Sequence, residues 1–351
     1  GIKIKARKMQ GVESNGMLCS GEELGLNDDL FPGSEVYGLL ILPEDSVPGT
    51  DIAPVVGLDD YIFDISITAN RPDCQSVLGI AREVAAILGK PLHMPAMDYK
   101  AVCEPDAPIT VQVEAPDLCP RYMAHYVRNI RMGESPRWMK RHLALCGLRS
   151  ISNVVDITNY IVHAFGQPLH CFDADKIKGG EVIVKTMPEG TPFVTLDGVE
   201  RKLNERDLMI CNKEEAMCIA GVFGGLDSGS TETTKDVFLE SAYFHPTWVR
   251  KTARRHALNT DASFRFERGI DPNATIYCLK LAALMVKELA GGTISSEIKD
   301  VCAAPAKDFR VELAYEKVNS LIGKVIPVDT IKSIVTSLEM KIVDETAEGL
   351  T

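Results

Sequence analysis

The sequence predicts an α+β multidomain protein with a mixed α/β domain at its centre, and three observations carry this prediction. A chain of 351 residues has room for two or three domains. Hydrophobic residues make up 45% and charged residues 25% of it, which is typical of a protein with a packed core. From Ile109 to about Val301, strand-like and helix-like segments follow one another without strict β-α-β alternation, which favours an α+β domain.

The net charge of −11 excludes a protein that coats nucleic acid by general electrostatic attraction. Any contact with RNA must therefore use local basic patches on an acidic body. Three segments offer such patches: Lys3, Lys5, Arg7 and Lys8; Arg137, Lys140, Arg141 and His142; and Arg250 to Arg255.

The ten cysteines form no CxxC pair, so no structural zinc site is expected. Cys218 and Cys278 lie in apolar segments, as reduced core cysteines of a cytoplasmic protein do. No signal peptide opens the chain and no apolar run is long enough to span a bilayer, so a cytoplasmic protein is expected. The first residues, GIKIKARKMQG, are typical of the middle of a domain, and we expect the chain to be part of a longer protein.

Residues 1–57 predict short strands and turns punctuated by glycines. The first forty residues or so are typical of the end of a β-barrel, and LLILPEDSVPG predicts a strand that enters a turn. Tyr61, Phe63, Ile65 and Ile67 alternate with polar residues, which predicts a half-buried strand.

A helix with Asp73 as its N-cap is predicted next, and Gly89 with Pro91 ends it. The NRPD turn before it can bind a ligand, although a simple capped turn is the favoured interpretation. The next residues, 93–109, are rich in Pro and Ala and predict a linker. The apolar face of the helix consists of Val77, Ile80, Ala81, Val84 and Leu88.

The central region predicts strands bracketed by helices. The strands are TVQVEA, RYMAHYVRNI, EVIVKT, PFVTLDG, DLMICN, AMCIAGV and VFLESAYF. The helices are SPRWMKRHLALCG, VVDITNYIVHAFG, HPTWVRKTARRHAL and a long helix from Asp271-Pro272 to Gly291-Gly292. In the first of them, Ser135 is the predicted N-cap and Pro136 takes position N1. The last fifty residues predict strand, helix, turn, helix and strand, with Pro327 at the start of the second helix.

The polar segment from Arg254 to Pro272 predicts the wall of a ligand pocket, because its short side chains from Thr260 to Ser263 leave room for a ligand. Four other stretches supply groups suited to the same pocket. They contribute Thr158 and Asn159 late in a helix, His170 in the turn GQPLHCFD, the glycines Gly221, Gly224 and Gly225 of GVFGGLDSG, and Glu240 in an apolar strand. A buried carboxylate needs a partner, so Glu240 must be paired or await the hydroxyl or amine of a ligand.

Each stretch also has a plainer interpretation. A single histidine after a turn is more often structural than catalytic, and GVFGG matches neither a Walker A loop nor a GxGxxG motif, so no nucleotide site follows. Neither a nucleophile elbow nor a zinc-binding helix motif occurs. The residues alone predict an α+β ligand-binding or hydrolytic domain.

At these same stretches the chain resembles the beta subunits of bacterial phenylalanine–tRNA ligase, that is, phenylalanyl-tRNA synthetase. The matching segments are GVESNGMLCSGEELGL, ANRPDCQSVLGIARE, SISNVVDITNYIVHAFGQPLHCFD, IAGVFGGLDSG, VFLESAYFHP and RRHALNTDASFRFERGIDP, and they occur in the family's order.

The resemblance implies five regions. Residues 1–40 would end an OB-fold tRNA-binding domain, 41–92 would form a small α+β (B1-like) domain, and 93–109 a linker. Residues 110–302 would form the B3/B4 tRNA-editing domain and 303–351 the start of a B5 domain.

The resemblance also implies the activity. The family charges tRNA(Phe) with phenylalanine at the expense of ATP, with Mg²⁺, in a heterotetramer of two alpha and two beta subunits. Because the aminoacylation site lies on the alpha subunit, no cofactor is expected in this chain. The B3/B4 module hydrolyses mischarged Tyr-tRNA(Phe). An apolar synthetic pocket cannot strongly reject tyrosine, and this second site supplies the missing selectivity, on the order of 10⁴ or more.

The resemblance assigns roles to the candidate residues by motif. Glu240 would accept the tyrosyl phenol proton, and Ala262 would line the slot for the ring. His170, Thr260, Asn159 and Thr158 would surround the ester or orient the water, while Gly224 and Gly225 would bring backbone to the amino acid. No covalent nucleophile and no metal are expected. Two alternatives stay open: a noncatalytic scaffold that binds tRNA and the alpha subunit around a vestigial pocket, and an unrelated esterase.

Overall fold

The computed structural model describes residues 4–99, 108–294, 297–303 and 305–351. The helices are α1 (Ile52–Val56), α2 (Val77–Leu88), α3 (Arg137–Leu145), α4 (Asn153–Phe165), α5 (Pro246–Arg255), α6 (Asp261–Phe266), α7 (Ala274–Ala290), α8 (Tyr315–Ile322) and α9 (Val328–Ser337). The strands are β1 (Arg7–Met9), β2 (Val12–Ser14), β3 (Thr110–Val113), β4 (Arg121–Arg128), β5 (Leu169–Asp173), β6 (Glu181–Thr186), β7 (Pro192–Val194), β8 (Glu200–Lys202), β9 (Leu208–Cys211), β10 (Ala216–Ile219), β11 (Phe223–Gly224), β12 (Val237–Tyr243), β13 (Thr293–Ile294), β14 (Lys299–Cys302), β15 (Leu313–Ala314) and β16 (Gly349–Leu350). This mixture of helices with several sheets agrees with the predicted class. In the described part of the chain, no helix is long and apolar enough to cross a membrane.

The chain divides into two compact units. One unit consists of Gly1–Ile65 and Ser135–Ile151, and the other of Ser66–Glu134 and Ser152–Thr351. The first unit contains the β1–β2 hairpin and a small core of Leu26, Phe31 and Val56. Helix α3 belongs to this unit because Arg137 lies over the Phe31 ring and Arg141 donates to the Gly57 carbonyl at 3.0 Å.

The second unit is built around a five-stranded antiparallel sheet, here called the central sheet. Its order is β13-β4-β12-β5, and β14 also pairs with β4. Strand β12 pairs with β4 on one side and β5 on the other, and all of its residues but the last are buried. It is therefore the strand on which the site is positioned.

One face of the central sheet is covered by helices and the other by a second sheet. Helices α4 and α7 pack on each other and on strands β4, β5 and β12. The second sheet has the order β11-β10-β9-β6-β3, and β3–β6 is the parallel pair in it. The two sheets share one hydrophobic core, which includes Tyr122, Phe172 and Phe238 of the central sheet and Val184 and Met209 of the second.

The C-terminal segment forms a separate small core within the second unit. Tyr315, Ile331 and Leu350 are its buried residues, and β15 pairs with β16 beside it. The predicted final strand at MKIV is wrong: residues 340–343 form no strand, and the partner of β15 lies further on, at Gly349–Leu350.

Two predicted strands near the N-terminus are also wrong. Residues 39–42 and 61–68 form no strand, and Tyr61 and Phe63 are 84% and 81% exposed. A strand needs a partner for its N–H and C=O groups and a surface for its apolar face. Within the described residues no strand pairs with either segment. Of the predicted linker, residues 93–99 have no regular structure, and 100–107 lie outside the described residues.

Helix starts differ from prediction by one to three residues. The N-cap of α2 is Ser76, whose hydroxyl accepts from the Gly79 amide at 3.1 Å, whereas Asp73 lies in a 3-10 turn and pairs with Arg71. Pro136, with ψ of 149°, is the N-cap of α3 instead of its first residue. The predicted turn at LHCFD is strand β5, because it finds β12 as a partner.

Candidate functional site

Cross-strand register brings two candidate residues together. Glu240 of β12 lies opposite His170 of β5 on one side and Ala124 of β4 on the other. Because side chains alternate along a strand, Glu240 shares a face with Phe238 and Ala242, which belong to the core between the sheets. The neighbouring Ser241 faces the other way and donates to the Thr275 carbonyl of α7 at 2.9 Å. Glu240 therefore points inward and is 5% exposed.

The environment of Glu240 changes its acidity. Burial raises the pKa of the carboxyl to about 7, since a charged group loses hydration there, and a hydrogen bond from Tyr122 acts in the opposite direction. That bond joins the Tyr122 hydroxyl to Oε2 at 2.7 Å. Within the described residues no group donates to Oε1, so one carboxylate oxygen is left for a ligand.

His170 is a neutral imidazole at physiological pH. Burial lowers the pKa of its ring to about 4. Its ring packs edge-on against Phe172, with 4.3 Å between the ring centroids. The Nε2 atom is buried and has no hydrogen-bond partner among the described residues. A buried polar atom of this kind is costly unless a water or ligand reaches it.

The opposite wall comes from two loops that are tied together. Thr260 is the N-cap of α6 and forms a capping box with Ser263. The Thr260 hydroxyl also donates to the Val222 carbonyl at 2.8 Å, which holds the start of α6 against the Gly221–Gly224 bend. Gly221 has φ of +68°, and a Cβ there would meet Phe244 at 2.9 Å, so glycine is required for both the bend and the packing.

These walls line a cavity of about 280 Å³ that is open to solvent on one side. Most of the candidate residues line it: His170, Glu240, Thr260, Ala262, Asn159 and Gly224. A Cβ at Gly224 would lie 2.9 Å from Leu196 Cδ1 and 3.3 Å from His170 Cε1, so the absence of a side chain keeps the cavity open.

The structure does not bring the two other candidates to the cavity. Thr158 is buried in α4 and its hydroxyl donates to the Val155 carbonyl at 2.7 Å. Gly225 packs elsewhere: its amide donates to the Met217 carbonyl at 2.9 Å, and a Cβ would meet Phe193 at 2.8 Å. Adjacent residues of a helix or strand point in different directions, so Asn159 and Gly224 reach the cavity where their neighbours do not.

Three side chains meet at one edge of the cavity. Asp261, whose side chain is 57% exposed, lines it and accepts from Nη1 of Arg265 at 3.0 Å. His163 lies one helical turn after Asn159 and is 4.0 Å from the Asp261 carboxylate. Burial, and then the charge of Arg265, lowers the pKa of His163. The edge thus combines an exposed carboxylate with a histidine that favours its neutral form.

Cys218 also lines the cavity but is a poor nucleophile there. Burial raises the pKa of its thiol well above the ordinary value, with a further contribution from Glu240. Its Sγ donates to the Phe223 carbonyl at 3.4 Å. Because only a thiolate attacks efficiently, Cys218 is not suited to act as a nucleophile.

Two important groups escaped the sequence analysis. Tyr122 carries no motif, and only the register of β4 against β12 reveals its bond to Glu240. Leu196 comes from the loop after β7 and forms an apolar wall beside Gly224. Asp261 lies in the segment that the sequence predicted as a pocket wall, and it lines the cavity as expected. Cys218 was predicted only as a reduced core cysteine, and nothing in the sequence indicated that it borders the cavity.

A basic surface lies on helix α5, which leads into the Thr260 wall. Arg250, Lys251 and Arg254 are exposed on it. Lys251 and Arg206 lie over the Trp248 ring, at 4.4 and 5.2 Å from its centroid. Arg206 comes from the loop between β8 and β9. We call Arg250, Lys251 and Arg254, together with Arg206, the α5 cations. Among the described residues none of the four has a carboxylate partner.

Among the described residues of the second unit, one cluster of side chains has the geometry of metal ligands. Asp73, Cys74 and Glu83 bring their ligand atoms together. The Arg71 guanidinium, however, donates to both carboxylates, so a positive charge is already bound between them. This cluster lies apart from the cavity residues and serves to fix the turn before α2.

Comparisons of the sequence with known proteins point to one family. Residues 118–291 match the B3/4 domain family. The chain is 70% identical over 354 residues to the phenylalanine–tRNA ligase beta subunit of Bacteroides fragilis, with 99% of this chain and 42% of that protein covered. It is 49% identical over 348 residues to the beta subunit of Porphyromonas gingivalis, with 97% and 42% covered. The crystal structure of an N-terminal fragment of the phenylalanyl-tRNA synthetase beta-subunit from Pyrococcus horikoshii is 17% identical, with a TM-score of 0.38 and with 81% of this chain and 78% of that chain covered. The chain thus spans 42% of the length of these curated relatives.

Proposed function

Because the chain belongs to the family of phenylalanine–tRNA ligase beta subunits, we propose that its cavity hydrolyses tyrosine from mischarged Tyr-tRNA(Phe). The observation that carries the proposal is the buried Glu240 carboxylate in a cavity shared with His170 and Thr260. Tyrosine differs from phenylalanine by one hydroxyl. An apolar pocket rejects an added hydroxyl only poorly, whereas a site built to bind that hydroxyl rejects the analogue that lacks it.

Glu240 supplies the selectivity. Its free Oε1 accepts a hydrogen bond from the tyrosyl phenol, while the ring lies in the apolar slot beside Ala262 and Phe266. A hydrogen bond to a charged group contributes about 1.5–3 kcal/mol, equivalent to roughly 10- to 150-fold in preference. Phenylalanine offers no donor and leaves a desolvated carboxylate without its second partner, which disfavours it further.

The hydrolytic step uses a water held by neutral groups. The water oxygen attacks the ester carbonyl carbon, the bond to the ribose oxygen breaks, and the proton passes to that oxygen, giving free tyrosine and a free tRNA terminus. His170 Nε2 accepts from the water, and Thr260 and Asn159 hold it and the ester in place. With a pKa of about 4, His170 is a weak base, so positioning contributes more than proton abstraction. Thr158 and Gly225 act indirectly, by holding α4 and the glycine loop.

The partner in this proposal is tRNA(Phe). The α5 cations support it, since phosphate contacts come mainly from Arg and Lys, and since α5 runs directly into the Thr260 wall. In the whole protein, we propose that the chain acts in the cytoplasm with an alpha subunit, in a tetramer of two alpha and two beta subunits, which charges tRNA(Phe) with ATP and Mg²⁺. The chain itself contributes the editing site.

The test is the release of tyrosine from Tyr-tRNA(Phe), with Phe-tRNA(Phe) as the comparison substrate. The wild-type protein is expected to prefer the tyrosyl ester, and Glu240→Ala to lose that preference. Asp236→Asn is the matched control, because Asp236 also accepts from a tyrosine, Tyr126, at 2.8 Å but does not line the cavity.

The outcomes separate the three functions. Tyrosine release at the background rate in both the wild-type and Glu240→Ala proteins contradicts editing and leaves a tRNA- and subunit-binding scaffold. Rapid turnover of simple esters without tRNA, unaffected by Glu240→Ala, indicates an unrelated esterase instead. Loss of selectivity in Glu240→Ala alone supports the proposal.

A further inference from the structure

Tyr122 contacts the specificity residue from behind the cavity. It lies on β4, opposite Ala242, and is fully buried. Its hydroxyl donates to Oε2 of Glu240 at 2.7 Å, yet Tyr122 is not among the residues that line the cavity. The phenol therefore reaches the carboxylate from the core side, while a ligand reaches it from the cavity side.

This arrangement gives the two carboxylate oxygens different functions. Oε2 is committed to Tyr122, and no described residue donates to Oε1. A glutamate side chain with both oxygens free can rotate and accept from either. With Oε2 fixed, the carboxylate presents one acceptor in one direction, so a ligand hydroxyl must arrive along that direction.

We propose that Tyr122 is a positioning residue: it fixes the Glu240 carboxylate so that the cavity recognises a single hydroxyl at the tip of an aromatic ring. This inference rests on the proposed function and deepens it, because it adds to Glu240 a residue that never touches the substrate. The Tyr122–Glu240 bond is itself a phenol–carboxylate hydrogen bond, the same chemistry that the site would use for its ligand.

Tyr122 also affects the ionisation of Glu240. Burial raises the pKa of Glu240, and the Tyr122 hydrogen bond lowers it. The other ionisable groups around the carboxylate are Cys119 before β4, Cys218 of β10 and His170 of β5, with Asp261 at the cavity edge. Burial raises the pKa of both thiols and lowers that of His170, so these three stay neutral between pH 5.5 and 8.5. Across that range Glu240 is the group expected to titrate among them.

The experiment compares Tyr122→Phe with Tyr126→Phe in the full chain. Tyr126 is the matched control: it lies on the same strand and face, and its hydroxyl donates to the Asp236 carboxylate at 2.8 Å, away from the cavity. The probes are tyrosinamide and phenylalaninamide, and the readout is the ratio of their dissociation constants from pH 5.5 to 8.5. Phenylalaninamide binding and circular dichroism check that each variant is folded.

We expect Tyr122→Phe to lower the preference for tyrosinamide about tenfold at pH 7 and Tyr126→Phe to leave it unchanged. The pH at which the preference is lost should move upward in Tyr122→Phe, because the carboxylate is then harder to ionise. At pH 8.5 part of the loss should recover, since ionisation returns but the orientation does not.

Three results would overturn the inference. One is an unchanged preference and pH dependence in Tyr122→Phe. Another is full recovery at pH 8.5, which would mean that Tyr122 acts on ionisation alone. The third is an equal loss in Tyr126→Phe, which would point to general loosening of β4. If the wild-type protein itself shows no preference and Glu240→Gln changes nothing, the proposed function fails together with this inference, and that outcome differs from the other three.

Discussion

Replacing Glu240 by Gln should remove selectivity and, at alkaline pH, stabilise the fold. The pKa of Glu240 rises from an ordinary 4.5 to about 7 in the folded protein. Between these values the folded state binds more protons than the unfolded state, so the free energy of unfolding falls as pH rises from about 4.5 to about 7. This difference in pKa corresponds to about 3 kcal/mol in the free energy of unfolding. The wild-type protein loses that stability between pH 4 and pH 8, whereas the Glu240→Gln variant, which has no carboxyl there to titrate, does not.

The stability that the variant gains at alkaline pH is partly offset. The carbonyl oxygen of the new amide side chain still accepts from Tyr122, but its NH₂ group needs an acceptor that the carboxylate did not, such as the unpartnered Nε2 of His170 or a water. A donor left unsatisfied costs about 1–3 kcal/mol. That cost does not depend on pH. The quantity to measure is therefore the free energy of unfolding of the variant minus that of the wild-type protein, at pH 4 and at pH 8. This difference should increase by about 3 kcal/mol from pH 4 to pH 8.

The assay is urea unfolding followed by tryptophan fluorescence. The chain has two tryptophans, so Trp138→Phe in all proteins leaves Trp248, which packs against the shared core of the second unit. Glu114→Gln, at an exposed position just after β3, is the matched control for removal of one charge. A stability difference between the wild-type and Glu240→Gln proteins that stays constant from pH 4 to pH 8 would refute the assignment of Glu240 as a buried, weakened acid.

Three further predictions concern the walls and the surface of the cavity. Gly224→Ala should lower kcat/KM for Tyr-tRNA(Phe) at least tenfold without unfolding, because its Cβ would press on the side chains across the cavity. Gly229→Ala, where a Cβ meets nothing within 4 Å, should leave kcat/KM unchanged, and equal losses in the two variants would contradict the prediction. Thr260→Ala should cost about 1–2 kcal/mol of stability through the lost cap and raise KM, with Thr260→Ser close to wild type in thermal unfolding and in kinetics. Arg250→Glu together with Arg254→Glu should weaken tRNA binding and make it less dependent on salt concentration in filter-binding assays, while the affinity for tyrosinamide stays constant. An unchanged salt dependence would exclude this face of α5 as a phosphate contact.

The helices and buried strands of the central region could be predicted because their signals are local. Gly166 ends α4 in a left-handed conformation, and apolar runs such as VFLESAYF leave few alternatives to a buried strand. The carboxylate of Glu240 was conspicuous for the same reason, since it interrupts such a run. The strand predicted at Tyr61 to Ile67 was wrong because alternation indicates a strand only where a partner exists.

Sequence order alone determined which residue types were available: a carboxylate in a core strand, a histidine before it, a short Thr–Ser segment after it, and the glycines between. Only the tertiary structure decided which of them meet. Strand register placed His170 beside Glu240 and Tyr122 behind it, while Thr158 and Gly225, each adjacent to a cavity residue, point elsewhere. The physical reason is that hydrogen-bonded pairing between distant strands fixes which side chains become neighbours, and a shift of one residue in that pairing turns each side chain to the opposite face.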